Sequence, residues 1–277
     1  MESSFLNGLF EDLEKDRLVL PTLPEVALKV RDTLEDEDSS MMDVAHVITN
    51  DAALSARLIQ ISNSPLLRAS RQIETVEAAV TRMGSNMVRN LVTSIAMEQM
   101  FQATTDVTDM RLRTVWENST QIAAIASALS IPQTNLQADQ ALLAGLVHDI
   151  GILPILSRAE DYPELLNNEQ ALDRIIADAH VKVGEAILRT WNFSDDLVKV
   201  AAEHENLSRY HAGPPDYVDI VIVANMQDAY GTDRPYARVD WTTVPAFEKL
   251  GMETDVSSVD MDEANAEIEI VKTALSG

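Results

Sequence analysis

Apolar residues recur at spacings of three and four through most of this chain, as in Val88, Leu91, Val92 and Ile95, or Val183, Ile187, Leu188 and Trp191. That period puts them on one face of a 3.6-residue helix, whereas strands would need alternation in twos, which is hard to find here. Nine Gly and ten Pro fall mostly between the periodic stretches. The pattern therefore predicts an all-α protein, and 46% hydrophobic residues in 277 supply ample core for one large domain or two modest ones.

The helices have readable ends. A short amphipathic helix over 5–16 places Phe5, Leu9 and Leu13 on one face and stops before the rigid connector Leu20-Pro21-Thr22-Leu23-Pro24. A helix from about Glu25 to Leu34 follows, then an acidic turn. Ser40 with Asp43 reads as a capping box, and Asp51 as the cap of the next helix, which carries Leu54, Leu58 and Ile61. The polar stretch Gln102 to Asp109 separates this array from a second helical block. The expected division is an N-terminal helix (1–19), a first subdomain (20–105), a second (106–235) and an acidic tail (236–277). One helical stripe runs through that tail: Met261, Ala264, Ile268, Val271 and Leu275. Such a stripe suits packing on its own protein or on a second copy, making a homo-oligomer an open expectation.

Charge limits the partners. Forty-five acidic residues against 21 basic give a net charge of −24, spread over both blocks and the tail, so nucleic acid is not an expected partner. The interval 52–97 is the exception, with Arg57, Arg68, Arg71, Arg82 and Arg89 against Glu74 and Glu77. These arginines either run along helix surfaces or form a docking strip for an acidic partner or phosphorylated ligand. Apolar runs such as Ala141–Val147 are far short of about 18 residues, so no membrane span is expected. The start, Met1-Glu2-Ser3-Ser4, lacks the pattern of a secretory signal, which gives a cytoplasmic expectation. Absence of Cys removes disulfides, thiolate zinc sites and cysteine nucleophiles.

One constellation carries chemistry. His148-Asp149 interrupts the apolar sequence Ala144-Gly145-Leu146-Val147 just before Ile150-Gly151. Packing alone gives no reason for two polar side chains there, and adjacent imidazole and carboxylate suit one divalent cation. A hydrogen-bonded pair closing the helix end is the non-metal alternative. His46 and His211 have no such context and read as structural or exposed. There is no Gly-rich phosphate loop, Rossmann fingerprint or Gly-x-Ser-x-Gly elbow.

Around this pair the chain resembles the HD superfamily of metal-dependent phosphohydrolases, and more closely its HDOD branch of bacterial signalling proteins. The resemblance rests on the Leu20–Pro24 segment and its following helix, Ile48 to Leu54 around Asp51, and Ile61-Ser62-Asn63-Ser64. The helix end at Ala78 to Met83-Gly84 and Trp116-Glu117-Asn118-Ser119 complete it, over roughly 15–230. Ala52 stands where the family often has proline. The resemblance implies two packed helical subdomains, the second HD-domain-like.

It also implies metal ligands at a first His, the His-Asp pair and a last Asp. The corresponding positions here are Asn118, His148 with Asp149, and Asn225, so both outer positions depart from the pattern. A shifted register would put Asp228 in the last place. Asn in place of carboxylate removes a charge that offsets the cation, and Asn in place of imidazole is a poor exchange for a transition metal. His180 and His204 stand where two-metal relatives have additional ligands. His148, Asp149, His180 and His204 are thus the candidate metal set, and Asn118 and Asn225 line the pocket, bonded to each other or to the pair.

The resemblance with these departures implies a non-catalytic signalling module with no assigned catalytic residue. It would bind a protein of a signalling pathway or a small phosphorylated ligand. No cofactor is expected on this reading. The alternative is a metal-dependent phosphohydrolase with an atypical His148/Asp149 site holding a divalent metal.

Overall fold

The computed structural model describes residues 2–63, 72–101, 105–252, 254, 269, 272, 273 and 275. Every regular element among them is helical, as the spacing predicts. The first half comprises α1 (Glu2–Glu14), α2 (Glu25–Glu35), α3 (Met41–Thr49), α4 (Ala52–Ser62) and α5 (Val76–Ala96). The second holds α6 (Asp106–Ser130), α7 (Ala138–Val147), α8 (Ile152–Ala159), α9 (Pro163–Leu166), α10 (Glu169–Thr190), α11 (Asp195–Glu203), α12 (Tyr217–Ala229) and α13 (Pro245–Lys249).

The caps fall where the side chains dictate. Ser40 and Asp43 form the reciprocal box at α3, and Asp51 accepts from Leu54 N at 3.0 Å to start α4. Gly84 breaks α5 at the expected helix end, with φ 76° and ψ 172°, a left-handed conformation that glycine adopts without a Cβ penalty. Asn63 exchanges two 2.7 Å hydrogen bonds with the backbone of Ile73, tying the end of α4 to the chain entering α5. The polar stretch expected between the blocks is shorter than Gln102 to Asp109, because Thr105 caps α6 and the helix begins at Asp106.

Long-range polar contacts join the halves. Trp191 Nε1 at the end of α10 donates to Pro21 O (2.9 Å) in the proline connector, and Arg31 of α2 donates to Trp191 O (3.2 Å). Asn90 of α5 donates to the buried Asp139 of α7 at 2.7 Å. α1 lies against the second half, with Arg158 bound to Asp12 (2.8 Å) and Arg174 to Glu2 (2.7 Å).

Two regions correct the sequence reading. Residues 236–250 were expected to open a sparse tail, yet Trp241, Val244, Ala246 and Phe247 are buried, and Trp241 stacks on Phe247 at 4.7 Å. Few apolar residues suffice because two are large rings packed beside α12. Of the tail stripe, Leu275 is buried, while Met261, Ala264, Ile268 and Val271 lie outside the described residues. The span Ala138–Ala159 is long and apolar enough to cross a bilayer, longer than the runs counted from sequence, but 83% of its apolar window is buried within the protein. It is two core helices, α7 and α8, joined at His148–Gly151.

Candidate metal centre

The centre forms where α7 ends. His148 occupies the C-cap of α7, and its Nδ1 donates to Gly145 O at 2.7 Å. His180, in the middle of α10, donates from Nδ1 to Ile176 O at 2.8 Å, and His204, the C-cap of α11, to Val200 O at 3.0 Å. Each imidazole is thus anchored by one nitrogen to its own helix, which directs Nε2 into a common space. Anchored this way, a neutral imidazole presents its Nε2 lone pair, the arrangement usual for metal-ligating histidine.

Gly151 makes the convergence possible. A Cβ there would lie 2.0 Å from His180 O and 2.6 Å from Gly184 N, so only glycine lets the turn after Asp149 approach α10 this closely.

Asp149 sits among the three rings. Its Oδ2 is 3.2 Å from His148 Nε2, and its Oδ1 is 3.3 Å from His204 Nε2 and 3.5 Å from His180 Nε2. His180 and His204 Nε2 are 3.3 Å apart. Ligands about 2.05 Å from a tetrahedral cation are separated by roughly 3.3 Å, so these spacings match a coordination shell. The donors form two overlapping groups that share His204: His148, Asp149 and His204, and His180, His204 and Glu205.

Glu205 was not singled out from sequence, although it directly follows His204. Its carboxylate lies 3.6 Å from His180 Nε2 and accepts a hydrogen bond from Tyr236 OH.

The electrostatics are those of a buried set of opposite charges. Burial opposes protonation of His148, but the charge and hydrogen bond of Asp149 outweigh it and raise the imidazole above its ordinary value. His180 is raised in the same way, burial being overcome by Glu205 and Asp149. Burial would raise Asp149, yet His148 and His204 hold it well below the usual carboxylate range. Glu205 is likewise lowered against burial by His180 and Tyr236, while burial and then the charge of Glu205 push the Tyr236 phenol up. In the metal-free fold Asp149 and Glu205 therefore favour the protonated forms of His148 and His180.

The outer positions are built differently, which corrects the expectation that Asn118 and Asn225 bond to each other or to the pair. Asn118 Oδ1 accepts from Arg234 Nη1 at 2.9 Å. Arg234 Nη2 also donates to the side chain and backbone oxygens of Asp228. Asn225, on α12, is buried and donates to Val221 O at 3.2 Å, so its amide nitrogen is satisfied one turn back within its own helix. Asp228 does not enter the donor groups, and a charged guanidinium, which no sequence signal marked, bridges two of the three candidate outer residues.

Of the expected arginine strip, Arg57, Arg82 and Arg89 lie among the described residues, and their surroundings differ. Arg57 is paired with Glu98, which takes up its charge. Arg82 is exposed and engaged, and Arg89 lines a cavity between the halves. Arg68 and Arg71 lie outside the described residues. His46 is exposed, and His211 Nε2 lies 2.8 Å from Asp219 in a structural network with Arg209 and Asp216.

Comparison with known proteins gives the same family. The HDOD domain matches residues 20–207. A curated relative, an uncharacterized protein of Treponema pallidum (strain Nichols), is 26% identical over 249 residues, covering 82% of this chain. The chain spans only 46% of that relative's length. Among solved structures, a "Putative metal-dependent phosphohydrolase" from Shewanella amazonensis SB2B is 32% identical with a TM-score of 0.87, covering 99% of both chains. An HDOD domain protein with unknown function from Geobacter sulfurreducens shares the fold, at 21% identity and a TM-score of 0.65, covering 99% of this chain and 95% of its own.

Proposed function

Since the chain belongs to the HDOD domain family, we propose that it is a non-catalytic signal-transduction module on an HD-phosphohydrolase scaffold. It acts by binding a protein partner or a small phosphorylated ligand in the cytoplasm. The observation that carries this reading is Arg234. Its guanidinium ties Asn118 to Asp228, so a fixed protein cation stands among the outer positions where the family pattern calls for metal ligands. Phosphoester hydrolysis needs a metal-activated water and an oriented phosphate, and losing the outer ligands weakens both.

The inner half offers a divalent transition-metal cation two overlapping donor groups that share His204: His148 and Asp149 with His204, and His180 and Glu205 with His204. In that place a cation would supply charge for an anionic ligand and lower the pKa of a bound water. The chain's own contribution is to hold three imidazoles by their Nδ1 atoms, aim their Nε2 atoms inward, and keep Tyr236 on Glu205. These groupings keep a divalent cation as the second reading beside the expectation of no cofactor.

The test is turnover. Full-length protein supplied with Mg, Mn, Fe or Ni is expected to hydrolyse phosphomonoesters, cyclic nucleotides and cyclic dinucleotides no faster than its His148→Ala variant. Metal-dependent hydrolysis that His148→Ala abolishes would replace the module reading with the second one, a phosphohydrolase with His148 and Asp149 as core ligands. The 3.2–3.5 Å spacing of the inner donors favours that second reading. Elemental analysis addresses it separately, since less than about a tenth of an equivalent of metal after loading would leave it without support.

A further inference from the structure

A second site lies away from the His-Asp centre. Between the halves is a cavity of about 530 Å³, within the usual range for a small-molecule pocket and at the subdomain junction where such pockets often lie. Its lining includes apolar groups, Met83 and Met87 of α5 and Phe193 after α10, and two arginines, Arg31 of α2 and Arg89 of α5.

Arg89 is the unusual member. Its Nε–H is buried with no hydrogen-bond partner, and no ion pair forms at its guanidinium among the described residues. In a chain with more than two acids per base, an uncompensated, half-buried arginine is costly and calls for an explanation. The acids lining the cavity do not supply a partner. Asp139 accepts from Asn90 at 2.7 Å, and Glu35 is exposed. Arg31 reaches the carbonyl of Trp191 at 3.2 Å and lies 3.7 Å from Asp32, leaving donors of its fork unused.

We propose that this cavity binds a mononucleotide, with the phosphate on Arg89 and Arg31 and the base against Phe193, Met83 and Met87. A bare phosphate would satisfy the arginines but leave the apolar lining wet, whereas a neutral nucleoside would leave Arg89 unpaired. Bidentate guanidinium–phosphate contacts and ring stacking together account for both kinds of lining residue. The site extends the regulatory reading by naming a ligand and a place for it, where occupancy would bias the packing of α2 and α5 against α7, α10 and α11.

Calorimetric titration of the full chain with AMP, GMP and their 3′,5′-cyclic forms tests this, with adenosine and inorganic phosphate as controls. At least one nucleotide should bind, each control should bind at least about tenfold more weakly, and Arg89→Met should weaken the nucleotide at least about tenfold with melting temperature unchanged. Arg89→Lys should lose less than Arg89→Met, and Phe193→Ala should weaken the nucleotide while leaving inorganic phosphate unaffected. His148→Ala should bind normally, which separates this site from the metal centre. No binding by any of the four nucleotides at millimolar concentration would overturn the proposal. So would nucleotide binding that Arg89→Met leaves intact, or an acidic peptide that binds where nucleotides do not. None of these results bears on turnover at the His-Asp centre.

Discussion

The inner and outer halves of the HD-type centre solve the same electrostatic problem in opposite ways. In the inner half, three imidazoles turn Nε2 toward one carboxylate at separations of 3.2–3.5 Å and hold their other nitrogens on backbone carbonyls. Its charge is balanced by something exchangeable, a proton or a cation. In the outer half, Arg234 is built in between Asn118 and Asp228, and Asn225 is bonded within its own helix. There a protein side chain supplies the cation. On the proposed reading the His-Asp pair alone does not suffice for catalysis, and the outer positions are what the turnover test probes.

The largest expected effect comes from the glycine that assembles the inner half. Gly151→Ala places a Cβ 2.0 Å from His180 O, and thermal unfolding should show a loss of about 3 kcal/mol or more. Gly84→Ala provides the comparison. Its Cβ would meet nothing within 4 Å, so only the positive-φ backbone is penalised, by about 1–3 kcal/mol. Equal losses would show that close approach at His180 is not what the inner half depends on.

Metal affinity should separate the halves next. His204 belongs to both donor groups, so His204→Ala should weaken nickel or zinc binding by about 100-fold in a competition titration. Asn225→Ala should change it less than about threefold, because the amide takes no part in the inner half. Similar losses in both variants would erase the distinction.

The pH response follows from the raised imidazoles. His148 and His180 sit above their ordinary 6.5 in the metal-free fold. Their contribution to stability is complete below that value and is lost as pH rises through the raised folded values. A metal needs these nitrogens deprotonated, so its affinity should climb across the same window and level off above it. Affinity measured by calorimetry at several pH values would contradict the account if it fell with rising pH.

Arg234→Ala should have the smallest effect, about 1 kcal/mol in melting experiments, since the guanidinium is partly exposed and its ion pair is screened. It should leave nickel affinity unchanged.

Helix identity was legible because period and caps are local: Ser40, Asp51 and Gly84 each act within one turn of their own position. The inner ligand candidates were legible for different reasons: His148 and Asp149 as polar residues interrupting apolar sequence, His180 and His204 only through the family resemblance. Arg234, Glu205 and Tyr236 were not. Arg234 is a charged residue in a loop, and nothing in its neighbourhood distinguishes it from a solvated one until the chain brings it to Asn118, 116 positions away. Tyr236 stands where the composition turns acidic, and the burial of Trp241 and Phe247 that holds this segment on α12 depends on tertiary packing. The same limit applies to Arg89. Sequence marked its charge, but only the fold shows that its buried Nε–H has no partner among the described residues.

The central claim is that only the inner half accepts an exchangeable cation. Anomalous scattering from crystals soaked in nickel or zinc tests it directly. The account predicts one peak among His148, Asp149, His180 and His204, with Arg234 still bonded to Asn118 and Asp228. A second peak beside Asn225 or Asp228, with Arg234 displaced, would contradict it.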